Sequence, residues 1–173
     1  MKSVKKEFTA DDAITLVDRM IRHNDGIVPL ATSLNNSHDA LQTHPYVSLV
    51  ACCFIDNVPY LFTSDISDHG KNIQTYNKVS ILVDSTDIVS KSRLNGARAT
   101  FIGKVVLVDK ELYRDNFLLQ HIKAKVYFDF EDFRMYRLNV ESIRLNAGFG
   151  KASWLYTTIQ NNKLVFDKVE VGI

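Results

Sequence analysis

Two polar pairs, Asp56-Asn57 and Asn161-Asn162, each interrupt a run of apolar and β-branched residues. Such a two-residue break between strand-like runs marks a tight hairpin, because Asn and Asp accept the left-handed backbone that the turn demands. The first pair joins Tyr46–Ile55 to Val58–Ser64, and the second joins Trp154–Ile159 to Lys163–Val171. Strands joined in this way pair antiparallel, which argues against an alternating parallel βαβ sheet.

The remaining segments fit around these hairpins. Thr9-Ala10-Asp11-Asp12 has the form of a capping box, and Ala13, Ile14, Val17, Met20 and Ile21 follow at helical spacing until Asn24–Gly26 ends the helix. Ile27–Ser33 reads as a short strand and Leu34–His44 as a polar loop. Asp65–Asn77 reads as a short helix, capped by Ser67 or Asp68, with Ile73 and Tyr76 inward. Val79–Asp84 is a strand, Ser85–Ser92 a polar loop, and Ala97–Val108 a long strand with a bulge at Gly103. Asp109–Lys123 reads as one amphipathic helix presenting Leu112, Tyr113, Phe117, Leu118 and Ile122, and Phe133–Asn146 as another long strand. Pro29, Pro45 and Pro59 fall at strand starts or flanks, where a missing N–H does least harm. The expected architecture is mainly β (α+β): an antiparallel barrel with peripheral helices, in a single domain over 1–173 with a helical region at 1–26 and the barrel at 27–173. Open edges in so small a barrel need covering, and a homodimer would cover them.

Composition narrows the function classes. A chain of 173 residues with 46% hydrophobic and 24% charged residues is long enough for one buried core. A net charge of +1, with no basic block or acidic tail, points away from nucleic acid and from disorder. No long apolar run suggests a membrane span, and the lysine-rich start, Met1 to Phe8, is not followed by the apolar run of a secretory signal. Cys52 and Cys53 are neighbours on a strand and so point to opposite faces, which disfavours a bridge between them. They read as buried thiols in a reducing, cytoplasmic compartment and lack zinc-site spacing.

The local candidate for a site is the strand-to-helix corner from Leu61 to Asn72. Hydroxyls, helix-start N–H groups, Lys71 and His69 could together hold a phosphate. Taken alone, the same pattern is more simply a capped corner with a solvated lysine. The histidines His23, His38, His44, His69 and His121 show no tight ligand spacing, and no metal site is expected. Glu131 and Asp132 are carboxylates among aromatics, and Gly148-Phe149-Gly150 would be a turn or a loop approaching a ligand. Neither a dinucleotide glycine fingerprint nor a phosphate loop is present.

Six segments together carry a resemblance: Pro29–Leu34, Pro45–Val50, Thr63–Ile73, Val79–Val83, Asp129–Leu138 and Gly148–Trp154. In order and spacing they resemble the FMN-binding split barrels related to pyridoxamine phosphate oxidase, within which the haem-utilisation branch is the most similar. The resemblance implies a six-stranded Greek-key split barrel, dimeric, with FMN in clefts between the chains. Carried across, Ser48, Leu49, Val50 and Ala51 would lie against the flavin ring, Phe62 and Thr63 would follow on the neighbouring strand, and Ser67, His69 and Lys71 would hold the phosphate. His69 stands where the oxidase carries a lysine. The oxidase's arginine-containing C-terminal substrate motif is not visible, so vitamin B6 is not the expected substrate. The haem-degrading relatives ligate iron through a tail histidine, whereas no histidine follows His121 here. The leading expectation is an FMN-dependent oxidoreductase acting on a small molecule. The alternatives are a haem-binding or haem-degrading protein, with His69, His121 or a tyrosine as ligand, and a non-enzymatic flavin module. No catalytic residue is nominated.

Overall fold

One long-range pairing closes the sheet. Strand β3 (Val58–Ser64) lies antiparallel to the first part of β6 (Phe133–Asn146), from Tyr60 opposite Arg137 to Ser64 opposite Phe133. The remaining neighbours are β2 (Pro45–Ile55), β1 (Ile27–Ser33), β4 (Lys78–Asp84) and β5 (Arg98–Val108), giving the order β3-β2-β1-β4-β5-β6 and, with the β3–β6 contact, a closed six-stranded antiparallel barrel. Two further strands, β7 (Ala152–Gln160) and β8 (Lys163–Gly172), extend from the far half of β6, where Ser142–Asn146 pair with β7. This computed structural model describes residues 7–35, 41–84, 96–148 and 151–172, so His38, the whole Ser85–Ser92 loop, Phe149 and Gly150 lie outside the described residues.

The local reasons match the sequence at several points. Helix α1 (Ala10–Arg22) starts on a complete capping box: the Asp12 carboxylate accepts from the Thr9 N–H at 3.0 Å and the Thr9 hydroxyl accepts from the Asp12 N–H at 3.2 Å. Both hairpin turns take left-handed φ, at 50° and 66° for Asp56 and Asn57 and at 50° and 60° for Asn161 and Asn162. The bulge falls as expected between Ile102 and Gly103. A Cβ on Gly103 would sit 2.0 Å from the Asn139 carbonyl oxygen, so only glycine fits that approach. Leu30, Cys52, Leu61, Ile81, Phe101 and Leu138 fill the interior, as side chains fill any barrel this narrow. Both cysteines are buried and free, and burial pushes the Cys53 thiol up to about 12.

The segment expected as one helix over Asp109–Lys123 is broken into a 3₁₀ turn (Lys110–Tyr113), a short helix α3 (Arg114–Gln120) and a second 3₁₀ turn (Ile122–Val126). Leu112 and Ile122, expected inward, are 73% and 69% exposed, whereas Phe117 is buried. The break sits at His121, whose Nε2 lies 3.0 Å from the Cys52 carbonyl oxygen while its ring stacks on Phe117. Anchoring that ring on β2 takes the His121 backbone out of helical geometry, at φ −118° and ψ 57°. Lys110 then pins the following loop by donating from Nζ to the carbonyls of Phe128, Phe130 and Phe133 at 2.8, 2.8 and 3.0 Å. Among the described residues, no helix is long and apolar enough to cross a membrane.

Candidate functional site

Helix α2 (Asp68–Thr75) covers the barrel mouth where β1 ends, β2 begins and β3 ends. Ser67 caps it, accepting from the Gly70 N–H at 3.1 Å and donating to the Ser64 carbonyl at 2.7 Å, with the Thr63 hydroxyl 3.1 Å away. Gly70 makes this closeness possible, since a Cβ there would meet the Ser64 carbonyl oxygen at 2.1 Å. On its other side the helix is tied to β1 through Asn72, which is only 1% exposed. Asn72 Nδ2 donates to the Thr32 hydroxyl at 2.9 Å, and Asn72 Oδ1 accepts from the Asn35 N–H at 2.8 Å. A third tie runs to β6: Asp65 accepts from Arg134 Nε at 2.5 Å and from Gln74 at 2.8 Å, while the Ser64 hydroxyl donates to Asp132.

The structure brings four of the sequence-nominated residues together. The Ser48 hydroxyl meets His69 Nδ1 at 3.0 Å, and Thr63 meets Ser67 at the same corner. His69 is half-buried, and burial pulls its pKa below the ordinary imidazole value against the opposing pull of Asp68. Lys71 is exposed and makes no ion pair among the described residues. Along β2, Ser48 and Val50 point into the barrel while Val47 and Leu49 point outward, 65% and 66% exposed. Ala51 is half-buried opposite Phe62.

Phe62 stands apart from the corner. Its ring is buried in an aromatic cluster with Phe117, Phe128 and Phe133, at centroid distances of 4.7, 5.0 and 5.2 Å. Thr63 is buried as well, and its strand is paired with β6 opposite Arg134. The Ser67 hydroxyl is spent on the cap, so its contribution to an anion would be the helix start it fixes. Asn72, Thr32, Asp132 and Arg134 build the corner although sequence reasoning nominated none of them as binding residues. Glu131 is exposed, and Asp132 serves as a structural acceptor. No cluster of metal-ligating side chains occurs among the described residues. Chemically, the region offers a fixed helix start, an imidazole held by Ser48, an exposed ammonium and an uncovered apolar stretch of β2.

Residues 11–162 match the family described as "CREG, beta-barrel". Among solved structures, the fold is similar to that of a haem-binding protein from Mycobacterium smegmatis, at 26% identity and a TM-score of 0.71 over 81% of this chain and 56% of that one. It is also similar to ChuZ of Campylobacter jejuni, at 19% identity and a TM-score of 0.73 over 93% of this chain and 64% of that one. An FAD-binding protein from Mesorhizobium loti is similar at 15% identity and a TM-score of 0.56, over 78% of this chain and 91% of that one. This chain therefore spans less than two thirds of the mycobacterial and Campylobacter proteins. No curated protein matches it. The expected split-barrel resemblance and fold are thus borne out, in a family with flavin- and haem-binding neighbours.

Proposed function

The chain belongs to the CREG β-barrel family, and from that premise we propose that it is an FMN-binding protein, acting as an oxidoreductase on a small molecule, with its cofactor in a cleft completed by a second copy of the chain. The observation that carries this reading is one juxtaposition. A donor-rich corner at the start of α2 adjoins β2, whose Val47 and Leu49 face outward uncovered. A flavin mononucleotide has matching parts, a flat apolar ring system and a phosphate. Lys71 and the α2 start would hold the phosphate, with His69, fixed by Ser48, beside it. The backbone of Ser48–Ala51 would run beside the ring, and a partner chain would cover Val47 and Leu49 from the other side. Bound FMN supplies reversible electron transfer, while the protein's part is to hold and orient it.

The residues present fit the group. Lys71 is a cation with no carboxylate partner among the described residues, and the Gly70 approach and the Ser67 cap hold the helix start rigid. The test is FMN affinity in Lys71→Ala. Loss of a charge-assisted contact to phosphate should weaken binding by roughly tenfold or more. Unchanged affinity would remove this corner from the phosphate site.

A second reading, haem binding, is favoured by the 26% identity to the mycobacterial haem-binding protein. His121 is then a poor iron ligand, because its Nε2 is committed to the Cys52 carbonyl. His69 keeps Nε2 available while Ser48 holds Nδ1, the arrangement in which a ligating histidine is usually held.

A further inference from the structure

We infer that a second site, separate from the cofactor corner, binds a small oxyanion at Arg137, in the cleft where β6 leaves β3 and turns to β7. The last β3 pairing on β6 is Tyr60 with Arg137, and the first β7 pairing is Ser142 with Tyr156. Between these points β6 is strand-paired with β5 on one side only, and on the other, where the Thr157 hydroxyl donates to the Val140 carbonyl at 2.8 Å, a cleft of about 430 Å³ remains. Arg137, Asn139, Glu141, Thr157, Thr158 and Asn162 line it. The turn of the β7–β8 hairpin closes over it and meets the β2–β3 turn, where the Leu164 N–H reaches the Asp56 carbonyl at 3.3 Å.

The guanidinium in this cleft is unusual for its partners. Arg137 Nε donates to Asn139 Oδ1 at 3.0 Å and Arg137 Nη1 donates to Asn162 Oδ1 at 2.9 Å. Both acceptors are neutral, and Arg137 has no carboxylate partner among the described residues. Arg114 and Arg134, by contrast, are each paired with acids. The two amide oxygens therefore orient the fork without neutralising it, and three of the five N–H donors are left over. Glu141, in the lining, pairs with Lys104 at 3.0 Å, and the neighbouring Asp167 and Asp56 are engaged with the Thr158 hydroxyl at 3.2 Å and with Lys163 at 3.9 Å. An ordered, half-buried guanidinium with no carboxylate partner among the described residues suits a carboxylate or a phosphate. From Tyr60 to Ser64 the strand rises roughly 13 Å, so this site and the α2 corner do not share residues.

The test is a titration of the uniformly ¹⁵N-labelled full chain with citrate, with inorganic phosphate and with chloride as control, at constant ionic strength. The backbone amides of Val140 and Asn162 and the Nε–H of Arg137 serve as reporters. Saturable shifts at these positions, with a Kd on the order of 1 mM and weakening in salt, are expected. Citrate binding the tighter assigns the site to carboxylates, and phosphate binding the tighter assigns it to phosphate esters. Arg137→Gln should raise the Kd at least tenfold. Asn162→Asp, which sets a carboxylate against the guanidinium, should do the same and serves if Arg137→Gln folds poorly. No saturable shift, or an unchanged Kd in either variant, overturns the inference. FMN retention should not differ between these variants and the parent chain.

Discussion

Removing the Asn72 side chain should loosen α2 on the barrel mouth at a cost that follows from its hydrogen bonds. The side chain is 1% exposed and joins a buried hydroxyl, Thr32 Oγ1 at 2.9 Å, to the backbone N–H of Asn35 at 2.8 Å. In Asn72→Ala both partners lose their bond, and each unsatisfied buried group costs about 1–3 kcal/mol. The Asn35 N–H is near the surface and recovers part of this through water, which leaves about 3 kcal/mol in all. For a chain of this size that is a fall in Tm of about 6–12 °C. Urea unfolding followed by circular dichroism measures it directly, with the m-value unchanged. Thr32→Val removes the other end of the same bond, and the double variant should lose less than the sum of the single losses, because the second change then breaks nothing. A loss below about 1 kcal/mol for Asn72→Ala, or additive losses in the double variant, would refute the claim that this bond anchors the helix.

The remaining predictions concern the same end of the barrel. Gly70→Ala forces a Cβ to 2.1 Å from the Ser64 carbonyl oxygen, a backbone atom that cannot swing aside, so it should destabilise by more than about 2 kcal/mol in a thermal melt and lower FMN retention after desalting. Lys110→Met deprives the carbonyls of Phe128, Phe130 and Phe133 of their shared donor and should cost about 2–3 kcal/mol in urea. His69 has its folded-state pKa lowered by burial, so the unfolded chain takes up the proton first as pH falls. Its contribution is therefore complete above the ordinary imidazole pKa and declines below it, and the fall in Tm from pH 8 to pH 5 should be smaller in His69→Gln than in the parent chain.

The hairpins were legible because their chemistry is local. A left-handed φ at two consecutive positions restricts the residue types, and Asp56-Asn57 and Asn161-Asn162 display the restriction openly. The capping box at Thr9–Asp12 and the bulge at Gly103 were readable for the same reason. The closing contact between Tyr60 and Arg137 joins residues far apart in the chain, and no short-range pattern encodes it. The break at His121 depends on a carbonyl of Cys52 that the helical pattern of Leu112 to Ile122 cannot register. At the site, apolar periodicity found Ile73 but passed over Asn72, since a buried amide looks like solvent-facing polarity until its partners are seen. Phe62 lies on a strand buried on both faces, so alternation could not say whether its ring met a ligand or the α3 cluster. The strand-to-helix corner itself was visible in Ser67, His69 and Lys71, and Ser67 was one of the two caps the sequence offered, but its contacts with the Ser64 carbonyl and the Thr63 hydroxyl were not legible.

The most direct test of the cofactor assignment is the visible absorption spectrum of the purified chain, recorded after adding FMN, and separately haem, and then desalting. A retained flavin spectrum that is lost in Lys71→Ala is the result the account predicts. A Soret band with no retained flavin would contradict it and move the site to haem, with His69 as the first ligand to replace.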